Sequence, residues 1–142
     1  MDPLSASASV LTLLAAAGSS CGFLHSLVVN ISDAPQDIKR QNETLRCLHH
    51  TLMHLSQIYA SLPEEHRLET PLHEWISNFA TEVSSIRSKV DDRAKSLQKG
   101  QRIRRFQESL RWIPFDRHLR KFFESLDHWN VVFQQACAAL QM

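Results

Sequence analysis

Residues 35–63 read PQDIKRQNETLRCLHHTLMHLSQIYASLP. Between the two prolines the segment carries apolar residues at Ile38, Leu45, Leu48, Leu52, Leu55, Tyr59 and Leu62, and after the first gap these advance by alternating steps of three and four. An α-helix turns once in about 3.6 residues, so this spacing lays one apolar stripe along one face. A half-buried strand would need strict alternation, which is missing here. The stripe is too long to be covered by a short loop, so the chain must supply further helices to bury it.

Working outward, the other segments offer such partners. Thr70-Pro71 looks like an N-cap followed by proline at the first helical position, with Glu74 in the first turn. The stripe that follows is Leu72, Ile76, Phe79, Val83, Ile86, Val90 and Leu97, with Trp75 on its flank. A last helix carries Leu119, Phe122, Phe123, Leu126, Trp129, Phe133, Ala136 and Leu140. Between them, beyond Gly100, a short amphipathic segment sets Ile103, Phe106, Leu110 and Ile113 against Arg102, Arg104, Arg105 and Arg111, and Pro114 stops it. Toward the amino terminus, Pro3 to Ala17 and Ser20 to Ser32 read as two helices separated by Gly18 as a C-terminal cap. The expected fold is therefore all-α: a single bundle over residues 1–142, of about five to six helices, with long antiparallel helices and one short basic amphipathic helix.

The charge is lopsided along the chain. Residues 1–86 carry net −5, residues 87–121 carry +8 and the remainder −2, against an overall +1. A basic block this local points to an anionic partner such as a phospholipid surface or an acidic protein face. Arg102, Arg104, Arg105 and Arg111 are its sharpest cluster, because guanidinium groups suit phosphate and a basic amphipathic helix suits an anionic membrane. The alternative is a helix docked by its apolar face with its arginines in water or paired to acids of the first half. Nucleic acid is not expected, since the aromatic residues fall on the core stripes and leave no platform for bases.

Catalytic signatures are missing. No P-loop, dinucleotide fingerprint, nucleophile elbow or HExxH occurs, and three glycines cannot build a phosphate cradle of the usual kind. Cys47, His50 and His54 share a helical face at metal-ligand spacing, but that face lies opposite the leucine stripe and reads as solvent-facing; His49 sits nearer the core edge and reads as a satisfied structural histidine. Glu64-Glu65 and Asp91-Asp92 are neighbours that point apart, so they read as solvated charges and not as an acid–base pair. No metal, cofactor or small-molecule substrate is implied. Three cysteines without CxxC spacing suit a reducing, cytoplasmic compartment. The amino terminus lacks the basic start of a secretory signal, and the triplets Asn30-Ile31-Ser32 and Asn42-Glu43-Thr44 would matter only in a secreted chain.

No Asp, Glu, Lys or Arg lies between Asp2 and Asp33, and Val10 to Val29 is long enough to span a hydrocarbon core. Gly18 and Gly22 give a GxxxG spacing inside it. Against a resting transmembrane state stand Thr12, Ser19, Ser20, His25 and Ser26, so two packed helices are expected at rest.

Met1-Asp2-Pro3-Leu4-Ser5, followed by Ala8-Ser9-Val10 and Leu13-Leu14, resembles the start of the HeLo-like N-terminal domains attached to fungal STAND-type receptors. Asp33-Ala34-Pro35 ahead of the leucine-stripe helix and the closing Leu126 to Gln141 helix, with Trp129, Phe133 and Leu140, extend the likeness over nearly the whole chain. The resemblance implies a helical bundle in immune signalling and programmed cell death, with HeLo relatives permeabilising membranes through a released first helix. Carried onto this sequence, the inserting residues are Leu4, Val10, Leu11, Leu13 and Leu14. A nucleotide-binding region and an amyloid-forming tail, which such proteins place after the domain, do not occur within the 142 residues. Two readings stay open: a membrane-acting signalling effector, cytoplasmic until activated, and a homotypic or intramolecular protein-interaction module.

Overall fold

The computed structural model describes residues 3–29, 35–63, 71–95 and 117–141, with side chains except those of 3–9, 91 and 93–95. Four helices fill these ranges: α1 (Pro3–Val29), α2 (Gln36–Ser61), α3 (Leu72–Lys95) and α4 (Arg117–Leu140). The described residues are thus all-helical, but the helix number expected from sequence needs correction.

The main correction lies in the first helix. The two segments expected on either side of Gly18 are one continuous helix of 27 residues. Among the described residues no glycine has a positive φ, so Gly18 does not act as a C-terminal cap. The short basic helix expected around Arg102 to Arg111 lies outside the described residues.

The start of α2 follows local rules. The carbonyl of Pro35 accepts a bond from the Lys39 amide (3.0 Å), and the Asp37 carboxylate accepts one from the Ile38 amide (3.0 Å). At its end Leu62 turns to extended backbone while its amide donates to the Tyr59 carbonyl (3.2 Å). In α3 the Pro71 carbonyl accepts from the amides of Glu74 and Trp75, so Pro71 stands just before the helix and not at its first position.

The helices close a ring in which α1 packs on α2 and α3, and α4 packs on the same two. Cross-helix bonds fix the directions. His49 with Gly18 and His25 with Asn42 make α1 and α2 antiparallel. Asp37 with Arg120, Thr44 with Asp127 and His54 with Gln141 rise together, so α2 and α4 are parallel neighbours. The expectation of antiparallel neighbours is corrected on this side: α2 and α3, consecutive in the chain, sit on the ring's diagonal.

The core is the sum of the stripes. Leu45, Leu48, Leu52 and Leu55 are fully buried, as are Ile76, Phe79, Val83 and Ile86 of α3 and Leu126 and Phe133 of α4. Aromatic rings fill the α3–α4 seam, with Phe79 set 5.4 Å from Trp129 and 5.5 Å from Phe133. The half-buried Glu82 carboxylate accepts from Trp129 Nε1 and Ser125 Oγ, both at 3.3 Å, which satisfies the indole donor at the edge of that seam. Burying one leucine contributes about 1.5–3 kcal/mol. A Leu52→Ala variant should therefore lose about 2–5 kcal/mol in denaturant unfolding, whereas Val131→Ala, at a site 52% exposed, should stay within about 0.5 kcal/mol.

Candidate interaction site on the first helix

Only α1, among the four described helices, carries no Asp, Glu, Lys or Arg. Its inner face buries Val10, Leu14, Ala17, Cys21, Leu24, Leu27 and Val28, at helical spacing. Its outer face exposes Thr12, Ala15, Ala16, Ser19, Ser26 and Val29, small or uncharged at every position. Apolar character is spread around the whole helix and not confined to a stripe, which is the pattern of a helix surrounded by protein or lipid.

The residues expected to enter a bilayer are divided by this arrangement. Val10 and Leu14 belong to the core, while Leu11 and Leu13 are half-buried and pack along its shoulders. The Leu4 side chain lies outside the described ones. Arg102, Arg104, Arg105 and Arg111, expected to form a basic surface, also lie outside the described residues.

Polar contacts described at three places, invisible in the stripe pattern, help to fasten α1. The His49 ring of α2 lies against Gly22, where an added Cβ would come within 3.2 Å of it. From there its Nδ1 bonds to the Gly18 carbonyl oxygen at 2.6 Å. A carbonyl can only accept, so Nδ1 carries the proton. Two turns nearer the α1–α2 connection, His25 Nδ1 donates to the Asn42 carbonyl (3.2 Å) and Asn42 Nδ2 donates to the His25 carbonyl (3.3 Å). On the opposite flank Arg87 of α3 donates to Ser20 Oγ (3.3 Å) and lies 4.6 Å from the centroid of the Phe23 ring. Sequence reasoning placed His49 as a structural histidine, which agrees, but missed His25, Asn42, Ser20 and Arg87. The available signal was a buried asparagine on a leucine stripe. Asn42 is 5% exposed, and its Oδ1 has no partner among the described residues; a glycan on Asn42 would not fit the folded domain.

The cysteines and histidines carry little chemistry. Burial pushes the Cys21 thiol up to about 12 and raises that of Cys137, so neither offers thiolate near neutral pH. Cys47, His50 and His54 are exposed on α2, and His54 Nε2 accepts from Gln141 Nε2 (3.4 Å). No group of three or more His, Cys, Asp or Glu converges on a possible metal position among the described residues.

A helical bundle that shelters one uncharged helix is thus the class the fold and site define. The chain matches, over residues 1–129, the family model described as the N-terminal domain of the pigment biosynthesis cluster protein PigL. It belongs to that family, a fungal one related to the HeLo-like domains. No match was found among curated proteins or among solved structures.

The α1–α2 seam makes two sharp expectations. Gly18→Ala adds a methyl group in ordinary contact with Leu52 and Met53 at 3.8 Å, so it should stabilise by about 0.5–1 kcal/mol through helix propensity. Gly22→Ala presses on a ring held by a 2.6 Å bond and should fall short of Gly18→Ala by about 1 kcal/mol or more in the same unfolding assay. In the native protein Cys47 should react quickly with a thiol reagent while Cys21 and Cys137 stay silent; fast labelling that survives Cys47→Ser would refute the burial assignment.

Proposed function

We propose that this chain is a non-enzymatic effector domain of fungal immune signalling, HeLo-like in action, that stores α1 inside a closed bundle and releases it to a membrane. The observation that supports this most is the 20-residue uncharged window Val10–Val29, a helix long and apolar enough to cross a bilayer, of which less than half is buried. A core helix of a soluble bundle passes the same test of length and composition, so the argument turns on energetics.

Moving α1 from protein to lipid keeps its own apolar surface away from water, so the hydrophobic cost falls on the faces of the other helices that it covered. What α1 itself loses is polar: the His49, His25–Asn42 and Arg87 contacts, each about 0.5–1.5 kcal/mol net. Removal of α1 also exposes the inner faces of the other helices, which favours self-association at the membrane. The resting state is then a cytoplasmic bundle held shut by these polar contacts and by the core faces that α1 covers, without cofactor, substrate or nucleic acid. A second reading, a protein-interaction module without membrane activity, draws on the outward row Ala15, Ala16, Ser19 and Ser26, where another helix could approach closely.

Dye release from anionic and neutral liposomes decides between them. Leu11 is the position for a charge, because it is half-buried, whereas Leu14 lies in the core and a charge there would unfold the domain. Under the effector reading Leu11→Glu abolishes release while remaining folded. His49→Ala, which removes one fastening worth about 1 kcal/mol, raises release roughly fivefold. Silence of the wild type in both lipids, with a defined oligomer in solution, would favour the interaction module.

A further inference from the structure

Among the described residues the large apolar side chains left exposed are Val29, Met53 and Val131. Of these only Met53 carries an atom open to oxidation, and it is 47% exposed. It belongs to α2 but reaches α1, with its Sδ 3.8 Å from the point where a Cβ would stand on Gly18. His49 precedes it by one turn on the same face of α2, and His49 Nδ1 holds the Gly18 carbonyl at 2.6 Å. One turn of α2 thus grips Gly18 twice, by a hydrogen bond and by a thioether that is half in water.

That placement couples sulfur chemistry to the α1–α2 seam. A hydroperoxide oxidises a thioether without help from a protein base. The sulfur lone pair attacks one peroxide oxygen, the S–O bond forms as the O–O bond breaks, and the proton goes to the departing oxygen, which leaves as water or an alcohol. Sulfur loses two electrons and the peroxide gains them. The product is a polar sulfoxide whose oxygen requires a hydrogen-bond donor. Gly18 lies in the middle of a continuous helix, where amides bond to carbonyls of their own chain. Neutral His49 already commits its Nδ1 proton to the Gly18 carbonyl, and its Nε2 can only accept. Water is the donor within reach, so the oxidised side chain turns outward and its apolar contact with α1 is lost.

We propose that Met53 is a methionine-oxidation site built into the α1–α2 seam: the thioether clamps α1, and its conversion to the sulfoxide by a hydroperoxide loosens that helix. A role in triggering α1 rests on the effector reading, whereas the loosening itself takes place in solution and does not.

Cys21, on the inner face of α1 and fully buried, reports the loosening. The test uses the whole chain carrying Cys47→Ser, so that the exposed thiol is removed. It is treated with hydrogen peroxide, freed of it, and labelled with N-ethylmaleimide. Peptide mass spectrometry then reads Met53 sulfoxide and the rate of Cys21 labelling together. Oxidation of Met53 should speed Cys21 labelling roughly threefold or more, and methionine sulfoxide reductases acting on both epimers should restore the slow rate. Met53→Leu should label as slowly as the untreated chain and ignore peroxide, although Met1 and Met142 remain. Met53→Gln, polar without oxidation, should label fast from the start. Fast labelling of the oxidised chain without dye release from liposomes would support the clamp and count against the membrane reading alone. Unchanged Cys21 labelling once Met53 is oxidised, or an equal response to peroxide in Met53→Leu, would overturn the proposal.

Discussion

The absence of charge along α1 is the constraint on which the rest of the bundle depends. A helix whose surface is apolar or small nearly all round gains nothing from water, so it must be flanked. The ring order provides this, with α2 on one side and α3 on the other. The His49 ring of α2 fits against α1 because α1 presents Gly22 there, and from that gap it reaches the Gly18 carbonyl. Packing and polar fastening thus act at one place, and a methyl group added at Gly22 disturbs both.

The remaining polarity is distributed by the same logic. Leucines of α2 and aromatics of α3 and α4 supply the core, while ion pairs and hydrogen bonds such as Asp37–Arg120 and Thr44–Asp127 hold the parallel α2–α4 seam at its surface. Exposed pairs of that kind contribute little, about 0–1 kcal/mol each. They set register more than stability. At the start of α4, Arg117, His118 and Lys121 line an open cleft together with Lys89 of α3.

Much of the architecture could be read from residues whose two faces differ. Along α2, α3 and α4 a leucine or aromatic stripe runs beside charged neighbours, so the buried face was legible, down to Ile38, Phe79 and Phe133. Along α1 the faces do not differ in that way, and Gly18 looked like a stop. In the bundle a Cβ added at that glycine would meet α2 only in ordinary contact. The parallel pairing of α2 with α4 was hidden for a related reason: stripe spacing says that a face is buried, and nothing about which helix covers it or in which direction. The fastenings of α1 join residues 17 to 67 positions apart, His25 to Asn42 at one extreme and Ser20 to Arg87 at the other, and depend on register that no local pattern contains.

Under the proposed effector role α1 leaves the bundle, and a tether between α1 and α2 would then block activity. An ideal Cβ at Gly18 lies 3.8 Å from the Leu52 Cβ, a separation suited to a disulfide, so Gly18→Cys combined with Leu52→Cys can tether α1 to α2 reversibly. The measurement is liposome dye release by this one protein, oxidised and then reduced. Silence when oxidised and release on reduction is the outcome the account requires; equal release in the two states would contradict it.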